Sequence, residues 1–235
     1  EPEITLDEPN VLVLDYASFS LDGGDFSEQK PILVIDRCIR EEVGLPVRGG
    51  MMDQPWYTAL NEHKTKAKVE TVFKFENEGY DGRILLCCEE PENFEISING
   101  KPLDGEPIEG IYIDKCFNRF DITSYTVNGT NTISFKTDFN ERSNLEAIYL
   151  LGDFSADTNA KIYPKKRLSF GNLAEQGLPF YGGTLKYSLR FAKTPKDGQR
   201  AVLHLSDDEN IACCTVGKET VAFPPYTCDV TDTLG

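Results

Sequence analysis

The chain repeats itself, and this repeat limits its possible folds more than any other sequence feature. Three pairs of segments align in the same order: Val69–Phe75 with Leu185–Phe191, Arg83–Leu103 with Arg200–Thr220, and Asp121–Thr123 with Asp229–Thr231. The middle pair aligns without a gap and preserves an arginine, a leucine, a Glu-Asn pair and a Gly-Lys pair. A period of roughly a hundred residues is too long for a solenoid repeat and suits two tandem domains.

The two copies differ at their ends. After Asp121–Thr123 the first copy continues into the alternating segment Asn131–Lys136, whereas the second copy stops at Gly235. The second module therefore lacks the strand that closes the first, and we expect the chain to be a segment of a larger protein. The predicted organisation is an N-terminal strand, helix and loop (1–67) packed on a first β-module (68–154), followed by a truncated second module (155–235) that begins with a linker.

Short β-branched and apolar runs, separated by Gly, Pro, Asn and Asp, predict strands in both copies. After a first strand at 11–16, the runs are 69–75, 83–88, 94–98, 111–113, 131–136 and 146–151, then 184–191, 200–205 and 211–216. The spacing of Ile32, Ile35 and Ile39 predicts one helix over 31–43, with charges on its opposite face. We therefore predict an all-β protein of two tandem antiparallel β-sandwich (jelly-roll) modules with one short helix near the N-terminus.

Charge and composition exclude several classes of partner. The net charge of −15 repels phosphate groups, so neither nucleic acid nor an anionic membrane surface is expected as a partner. No run approaches the roughly 18 apolar residues of a membrane-spanning helix. Seven cysteines, including the adjacent pairs Cys87-Cys88 and Cys213-Cys214, favour a reducing compartment and hence a cytoplasmic location. In each pair we expect one thiol to be buried, because neighbours in a strand point to opposite faces.

Five segments occur in a distinctive order: Asn10–Tyr16 (NVLVLDY), Leu21–Gly24 (LDGG), Pro91–Gly100 (PENFEISING), Leu145–Phe154 (LEAIYLLGDF) and Gly177–Gly183 (GLPFYGG). In this combination the chain resembles the C-terminal β-sandwich region of bacterial α-L-rhamnosidase-like glycoside hydrolases. Its modules resemble the galactose-binding-like sugar-binding domain of family-2 enzymes. The resemblance extends over nearly the whole chain and implies that catalysis lies on a separate barrel domain, so no catalytic residue is carried over to this segment.

The resemblance implies an ancillary, non-catalytic segment of a carbohydrate-active enzyme. Such a segment would brace the catalytic domain of the same polypeptide, bind carbohydrate, or do both. Two alternatives stay open: the segment positions substrate in the active-site cleft of the parent glycosidase, or it is a protein-interaction module that binds no sugar. An exposed aromatic platform would favour sugar binding, and an exposed apolar patch would favour docking to another domain.

Aromatic side chains in loops are the candidate carbohydrate-binding residues, because a ring can lie against the apolar C–H face of a pyranose. These candidates are Trp56, Tyr57, Phe180, Tyr181 and Tyr226. The alternative for Trp56 is a place between the helix and the first sandwich. For the other residues, the alternative is packing at the edge of a module.

Acidic clusters are predicted to form turns rather than sites. Glu89, Glu90 and Glu92 flank a proline between two strands, whereas glycoside hydrolysis needs two carboxylates that face each other. Asp22 and Asp25 would offer oxygens to a structural calcium ion, but their loop is too short to supply six ligands, so a turn is favoured. The two histidines, at 63 and 204, lie far apart and no C-x-x-C motif is present, so we expect no zinc site and no other cofactor.

Overall fold

A computed structural model describes residues 3–48, 63–188, 196, 198–205, 213–216 and 219–231. Within these residues the regular structure is one α-helix, α1 (Ile32–Glu42), with short 3₁₀ turns and many β-strands. The strands are β1 (Glu3–Leu6), β2 (Asn10–Leu14), β3 (Tyr16–Leu21), β4 (Lys30–Pro31), β5 (Ala67–Asn77), β6 (Ile84–Glu89), β7 (Glu95–Ile98), β8 (Lys101–Pro102), β9 (Phe117–Asp121), β10 (Gly129–Phe139), β11 (Ile148–Gly152), β12 (Phe154–Ala156), β13 (Lys161–Pro164), β14 (Leu185–Ser188), β15 (Val202–His204), β16 (Cys214–Val216), β17 (Glu219–Val221) and β18 (Thr227–Asp229).

The chain divides into two compact units. The main unit comprises residues 5–186, and the second unit comprises residues 1–4 and 187–235. The main unit contains an eight-stranded sheet with the order β12-β13-β5-β10-β7-β8, in which β3 pairs with β5 and β4 pairs with β3. A four-stranded sheet has the order β2-β11-β6-β9. All pairs of these two sheets are antiparallel except β13 with β5, so the prediction of an antiparallel all-β fold with a single helix is confirmed.

The core of the main unit lies between the two sheets. Along β5, alternate residues such as Val69, Phe73 and Phe75 are buried, while their neighbours point to the other face. They belong to one apolar cluster with Leu86 of β6 and Leu150 of β11. Full burial of such side chains contributes about 1.5–3 kcal/mol each. The period-2 pattern that predicted the strands is therefore also the pattern that builds the sandwich.

The predicted boundary between Phe154 and Ser155 lies inside the main unit. Residues 155–167, predicted to be a linker, contain the end of β12 and all of β13; these strands pair with each other, and β13 also pairs with β5. The buried Asn10 ties this region to β2, because its Nδ2 donates to the carbonyl oxygens of Phe154 (2.9 Å) and Gly177 (3.0 Å). The prediction failed here because this pairing partner lies far away in sequence.

Helix α1 packs its isoleucines as predicted, since Ile32, Ile35 and Ile39 are buried in the core. The expectation that its charges lie on the exposed face is wrong for Asp36 and Arg40, which are both buried. Arg40 Nε donates to Asp36 Oδ2 at 2.8 Å, and its Nη2 donates to the carbonyl oxygen of Ser143 at 2.6 Å. The ion pair orients Arg40 within the helix, and the hydrogen bond to Ser143 fastens the helix to the segment that precedes β11.

The repeat appears as the same hydrogen-bonded arrangement in both units. In the first copy, Arg83 Nε donates to Asp121 Oδ2 (2.7 Å), and the Thr123 hydroxyl donates to Asp121 Oδ1 (2.6 Å). That hydroxyl also accepts the Ile84 backbone N–H (3.0 Å), and the Ile122 N–H donates to the Ile84 carbonyl (3.0 Å). We call this arrangement the Arg-Asp-Thr box.

The second copy forms the same box. Arg200 Nε donates to Asp229 Oδ2 (2.8 Å), and the Thr231 hydroxyl donates to Asp229 Oδ1 (2.5 Å). The Ala201 N–H donates to the Thr231 hydroxyl (2.9 Å), and the Val230 N–H donates to the Ala201 carbonyl (2.9 Å). The two boxes align residue for residue, and the strand registers agree as well.

The register that supports the boxes is shared, but the hairpins that follow differ by one residue. Leu85 faces Asp121 in the first copy, as Val202 faces Asp229 in the second. In the hairpins, Ile98 pairs with Lys101, whereas Val216 pairs with Glu219. In the ungapped alignment, Val216 corresponds to residue 99 and not to Ile98. The strand pairing in the second hairpin is therefore shifted by one residue relative to the first.

The cysteines depart from the expectation of one buried thiol in each pair. Cys87 and Cys88 are both buried, whereas Cys213 is exposed and Cys214 is half-buried. Cys88 lies in the core, and Cys87 lies on the opposite face between its cross-strand neighbours Tyr149 and Arg119. Burial raises the pKa of Cys87 to about 11 and that of Cys88 to about 12. All seven cysteines are free thiols, and no helix in the described ranges is both long and apolar enough to cross a membrane.

Candidate functional site

A polar cleft lies over the outer face of the eight-stranded sheet, on the side away from the core. The sheet register places four side chains in one row across four strands: Ser20 faces Glu70, Glu70 faces Lys136, and Lys136 faces Glu95. Because side chains alternate along a strand, these residues share the face opposite to buried Val69 and Phe135. The row therefore alternates a hydroxyl, a carboxylate, an ammonium group and a second carboxylate.

Glu70 is held in place by its neighbours. Its Oε1 accepts the Ser134 hydroxyl at 2.6 Å, and its Oε2 lies 3.5 Å from Lys136 Nζ. Each hydrogen bond or ion pair fixes one carboxylate oxygen, so the side chain is preorganised. Lys136 lies between the two carboxylates of the row, so Glu95 is the carboxylate at the end of the row.

The cleft has a volume of about 740 Å³. Phe94 and Asn93 line one part of it, and the Phe94 ring packs edge-to-face on Phe135 with the ring centroids 5.4 Å apart. Asp138, Asn140, Arg142 and His63 also line the cleft, and His63 Nδ1 lies 3.6 Å from Glu141 Oε2. The lining offers amide, carboxylate, ammonium and guanidinium groups, whereas the Phe94 ring packs toward the core. Such groups hydrogen-bond the hydroxyls of polar ligands.

This geometry suits binding better than glycoside hydrolysis. A glycosidase places two carboxylates on either side of the scissile bond, with space between them for the sugar. In the row, the space between Glu70 and Glu95 is occupied by Lys136, and Glu70 already accepts from Ser134.

Two predicted carbohydrate-binding residues, Trp56 and Tyr57, lie outside the described residues, so their roles stay predictions. Phe180 is partly buried and packs against the main core. The Tyr181 hydroxyl lies 2.8 Å from Glu8 Oε2 and 2.9 Å from the Thr184 carbonyl oxygen, and burial and this contact with Glu8 raise the pKa of Tyr181 to about 12. Both side chains therefore have structural contacts, and neither lines the cleft.

Tyr226 does not form an exposed platform in this structure. The residue is only 6% exposed, within the second unit, and its carbonyl oxygen accepts the Leu205 N–H at 3.1 Å. It directly precedes β18, where pairing with β15 holds the backbone. A ring buried in this way offers no face for a sugar, because stacking needs an open aromatic surface.

The acidic segments form turns. Asp22 has φ +48°, and its Oδ1 accepts the Lys68 N–H at 2.8 Å, so this oxygen stabilises the turn before β4. Glu90 precedes the 3₁₀ turn Pro91–Asn93 with φ +46° and accepts from Asn93 Nδ2 at 3.1 Å. Within the described ranges no three His, Cys, Asp or Glu side chains are arranged to hold a metal ion.

The outer face of the four-stranded sheet is partly apolar: it carries Glu89, Arg119 and Asp121 at β6 and β9, and its Cys87 and Leu151 are buried. We use the name apolar face for Val11, Val13, Leu85, Phe117 and Tyr149, which share this side by register and are half-buried. The Phe117 and Tyr149 rings meet edge-to-face with their centroids 5.6 Å apart. A sequence signal for this face existed in the consecutive apolar residues of β2 (NVLVL), since a strand that is apolar on both sides is covered on both sides.

Sequence reasoning also missed the cleft. Its residues come from β3, β5, β7 and β10 and from the segment after β10, and none of them forms a motif by itself. The only signal in the sequence was that charged residues occur at alternate positions of β5 and at the end of β10. A sheet face that is exposed to solvent gives the same pattern. In comparisons with known proteins, the chain matches no protein-family model, and no curated protein is significantly similar to it.

Proposed function

We propose that this chain is an ancillary, non-catalytic β-sandwich segment of a carbohydrate-active enzyme and that its cleft binds a short glycan. The observation that carries this proposal is the row Ser20-Glu70-Lys136-Glu95 on the floor of the cleft. Donors and acceptors alternate along the row. This pattern complements the hydroxyl groups of a sugar, each of which can donate and accept one hydrogen bond.

The size and charge of the cleft support a neutral, short ligand. A volume of about 740 Å³ is within the range of about 300–1,000 Å³ of small-ligand pockets. Lys136 compensates Glu70, and the remaining lining carries both Lys68 and Arg142 and the acids Glu95 and Asp138. A cleft of mixed charge gives no net attraction to a polyanion, whereas a neutral sugar can hydrogen-bond both the acidic and the basic groups that remain accessible.

The resemblance of the chain to the C-terminal region of bacterial α-L-rhamnosidase-like glycoside hydrolases supplies the proposed parent. The catalytic domain of the same polypeptide would be the second partner, and the cytoplasm the proposed location. In this proposal, the segment itself hydrolyses no glycoside. Turnover of an aryl rhamnoside or galactoside that is abolished by a substitution within residues 1–235 would contradict it.

Titration of the protein with L-rhamnose, D-galactose and their short oligosaccharides, followed by two-dimensional NMR, tests the binding proposal. We expect shifts of the backbone signals of β5, β7 and β10. Glu95→Ala should weaken binding by about tenfold, equivalent to about 1.4 kcal/mol. Glu42→Ala is the matched control, because Glu42 is exposed at the end of α1 and remote from the row in sequence. Binding that leaves β5 and β10 unshifted, or that Glu95→Ala does not change, would contradict the assignment of the cleft.

A second candidate function, bracing of another domain, is favoured by the apolar face. A sheet face of valine, leucine and aromatic side chains is the kind of surface that other protein elements cover. The two functions use opposite sides of the sandwich and do not exclude each other. Loss of the apolar face should leave glycan binding unchanged, which separates the two in the same NMR titration.

A further inference from the structure

The loop between β8 and β9 carries two exposed isoleucines. Ile111 and Ile113 are 69% and 82% exposed, and they flank Tyr112. Arg119 lies over the Tyr112 ring, 5.4 Å from its centroid, and Arg119 is the cross-strand neighbour of Cys87 on the outer face. Tyr112 thus anchors the loop on this side of the sheet. As the sequence neighbours of Tyr112, the two isoleucines therefore lie near this side of the sheet.

Ile113 has an unfavourable backbone conformation as well as an exposed side chain. Its φ is +60°, in the left-handed region, which β-branched residues avoid because the side chain crowds the backbone. Glycine adopts this conformation without strain. An exposed, strained isoleucine stabilises nothing within the chain by itself, and such outliers cluster at functional sites such as ligand clamps and switch regions.

Carboxylates surround the aromatic part of the apolar face. Burial first, and then the negative charges of Glu89, Glu146 and Asp15, raise the pKa of Tyr149. Glu89 itself has a raised pKa, because it is partly buried and lies near further carboxylates. One cation compensates this group in part, since Arg48 Nη2 lies 3.1 Å from Glu146 Oε1. Glu89 and Asp15 have no ion pair among the described residues.

We propose that the apolar face, together with Ile111 and Ile113, docks a protein segment whose aliphatic side chains are flanked by lysine or arginine. The aliphatic groups would cover the isoleucines and the Phe117–Tyr149 pair. The basic groups would pair with Glu89 and Asp15, whose carboxylates lie near the Tyr149 ring. The same carboxylates disfavour an anionic lipid surface, which would add negative charge. This proposal does not depend on glycan binding in the cleft, which lies on the other sheet.

A fluorescent peptide with a central run of leucines and two lysines at each end is the probe, used with the full chain. Fluorescence anisotropy measures its binding, with a glutamate-flanked peptide of the same length as the charge control. We expect the lysine-flanked peptide to bind at least about tenfold more tightly than the glutamate-flanked one. Ile111→Ser, Ile113→Gly and Glu89→Gln should each weaken this binding several-fold.

Matched substitutions lie elsewhere on the surface. Leu33→Ser removes an aliphatic side chain that is 61% exposed on α1, and Glu42→Gln removes an exposed carboxylate; both should leave peptide binding unchanged. Ile113→Gly should also leave Tm unchanged or raise it, because glycine relieves the strain at φ +60°. Weaker binding without loss of Tm separates docking from a merely structural role.

Several outcomes would overturn the proposal. They are absence of peptide binding, equal binding of both peptides, and equal weakening by the Leu33→Ser control. Sedimentation of the protein with phosphatidylserine vesicles, abolished by Ile111→Ser, would instead assign the isoleucines to a lipid surface.

Discussion

The two Arg-Asp-Thr boxes have the same hydrogen bonds but different apolar support. In the first copy, the residues behind the box are Ile84 and Ile122, which are 1% and 0% exposed in the core of the main unit. In the second copy, the corresponding residues are Ala201, which is half-buried, and Val230, which is 7% exposed. The polar arrangement therefore does not require a particular core. It requires an arginine before one strand, Asp-x-Thr at the end of its partner, and the antiparallel register between them.

The carboxylates of the two boxes also differ. Burial alone would raise the pKa of Asp121, but the hydrogen bonds from Thr123 and Arg83 outweigh it, and the pKa is lowered. In the second box, hydrogen bonds from the Thr231 hydroxyl and backbone, and then from Arg200, lower the pKa of Asp229 to about 2. The net lowering of the pKa is thus larger for Asp229, where burial opposes the same donors less. The comparison separates local hydrogen bonding, which the repeat preserves, from packing, which it does not.

The largest difference between the boxes should come from their apolar residues. Ile122→Ala removes a fully buried side chain and leaves a cavity, so we expect a loss of about 2–5 kcal/mol in the free energy of unfolding of the main unit. Val230→Ala removes fewer carbons and should cost less, about 1–2 kcal/mol at about 0.8 kcal/mol per buried methylene. Urea unfolding monitored by hydrogen-exchange mass spectrometry measures each box separately. Peptides from β6 and β9 report on the first box, and peptides from β15 and β18 report on the second. Equal costs would mean that the two copies have equivalent cores.

Removal of the threonine hydroxyl should have the next largest effect. Thr123→Val keeps the shape but leaves the Ile84 N–H without its acceptor and removes one donor from Asp121. An unsatisfied buried donor costs about 1–3 kcal/mol. Thr231→Val should cost less, because the Ala201 N–H that it leaves is nearer to solvent. Thermal unfolding of the two variants tests this order, with Thr158→Val, at an exposed position outside both boxes, as a control. A larger loss in the second box would contradict the role given to burial.

The acid dependence of stability should differ between the boxes. A carboxylate whose pKa is lowered in the folded state stabilises the protein above its ordinary pKa, near 4, and loses that contribution as protonation sets in. For Asp229 the loss should occur as the pH falls from about 4 to about 2. Asp229→Asn should flatten this part of the pH dependence for the second unit, whereas Asp121→Asn should act on the main unit. NMR titration of the two carboxyl groups measures both pKa values directly, and a higher pKa for Asp229 than for Asp121 would contradict the comparison.

The smallest effects should come from the arginines. Arg83 and Arg200 are both largely exposed, and exposed ion pairs contribute about 0–1 kcal/mol. Arg83→Lys should therefore change Tm little, and Arg200→Lys should do the same in the second unit. Added salt should reduce the difference between each variant and the parent chain. A large loss of stability at high salt would show that the arginines pack rather than pair.

Much of the fold could be predicted from periodicity, and the misses have physical causes. The strands at β5, β6, β10 and β11 and helix α1 follow regular alternation or helical spacing in the sequence. The segment 111–113 was predicted as a strand, but in the structure its middle residue forms only an isolated bridge, between Tyr112 and Asp114, because the apolar residues there face outward from a loop. Strand β9 (FNRFD) was missed because its outer residues, Phe117 and Arg119, interrupt the usual polar alternation.

The candidate sites were less predictable than the fold. The aromatic residues chosen from the sequence were those in loops, yet Phe180 and Tyr226 pack inside their units. The row across the cleft joins Ser20, Glu70, Lys136 and Glu95, which are spread over more than a hundred positions. No local pattern marks them, because the register of four strands alone brings them together.

The sequence by itself determined the class of the fold, the repeat and the contents of the Arg-Asp-Thr box. These features depend on period-2 burial and on hydrogen bonds between short segments, which local residue order encodes. Only the tertiary structure decided that residues 155–164 join the eight-stranded sheet and that Asp36 and Arg40 are buried. It also decided that one sheet turns a polar row outward while the other turns out an apolar face. Those outcomes depend on which distant strands become neighbours, and the burial of a side chain follows from that pairing rather than from its own identity.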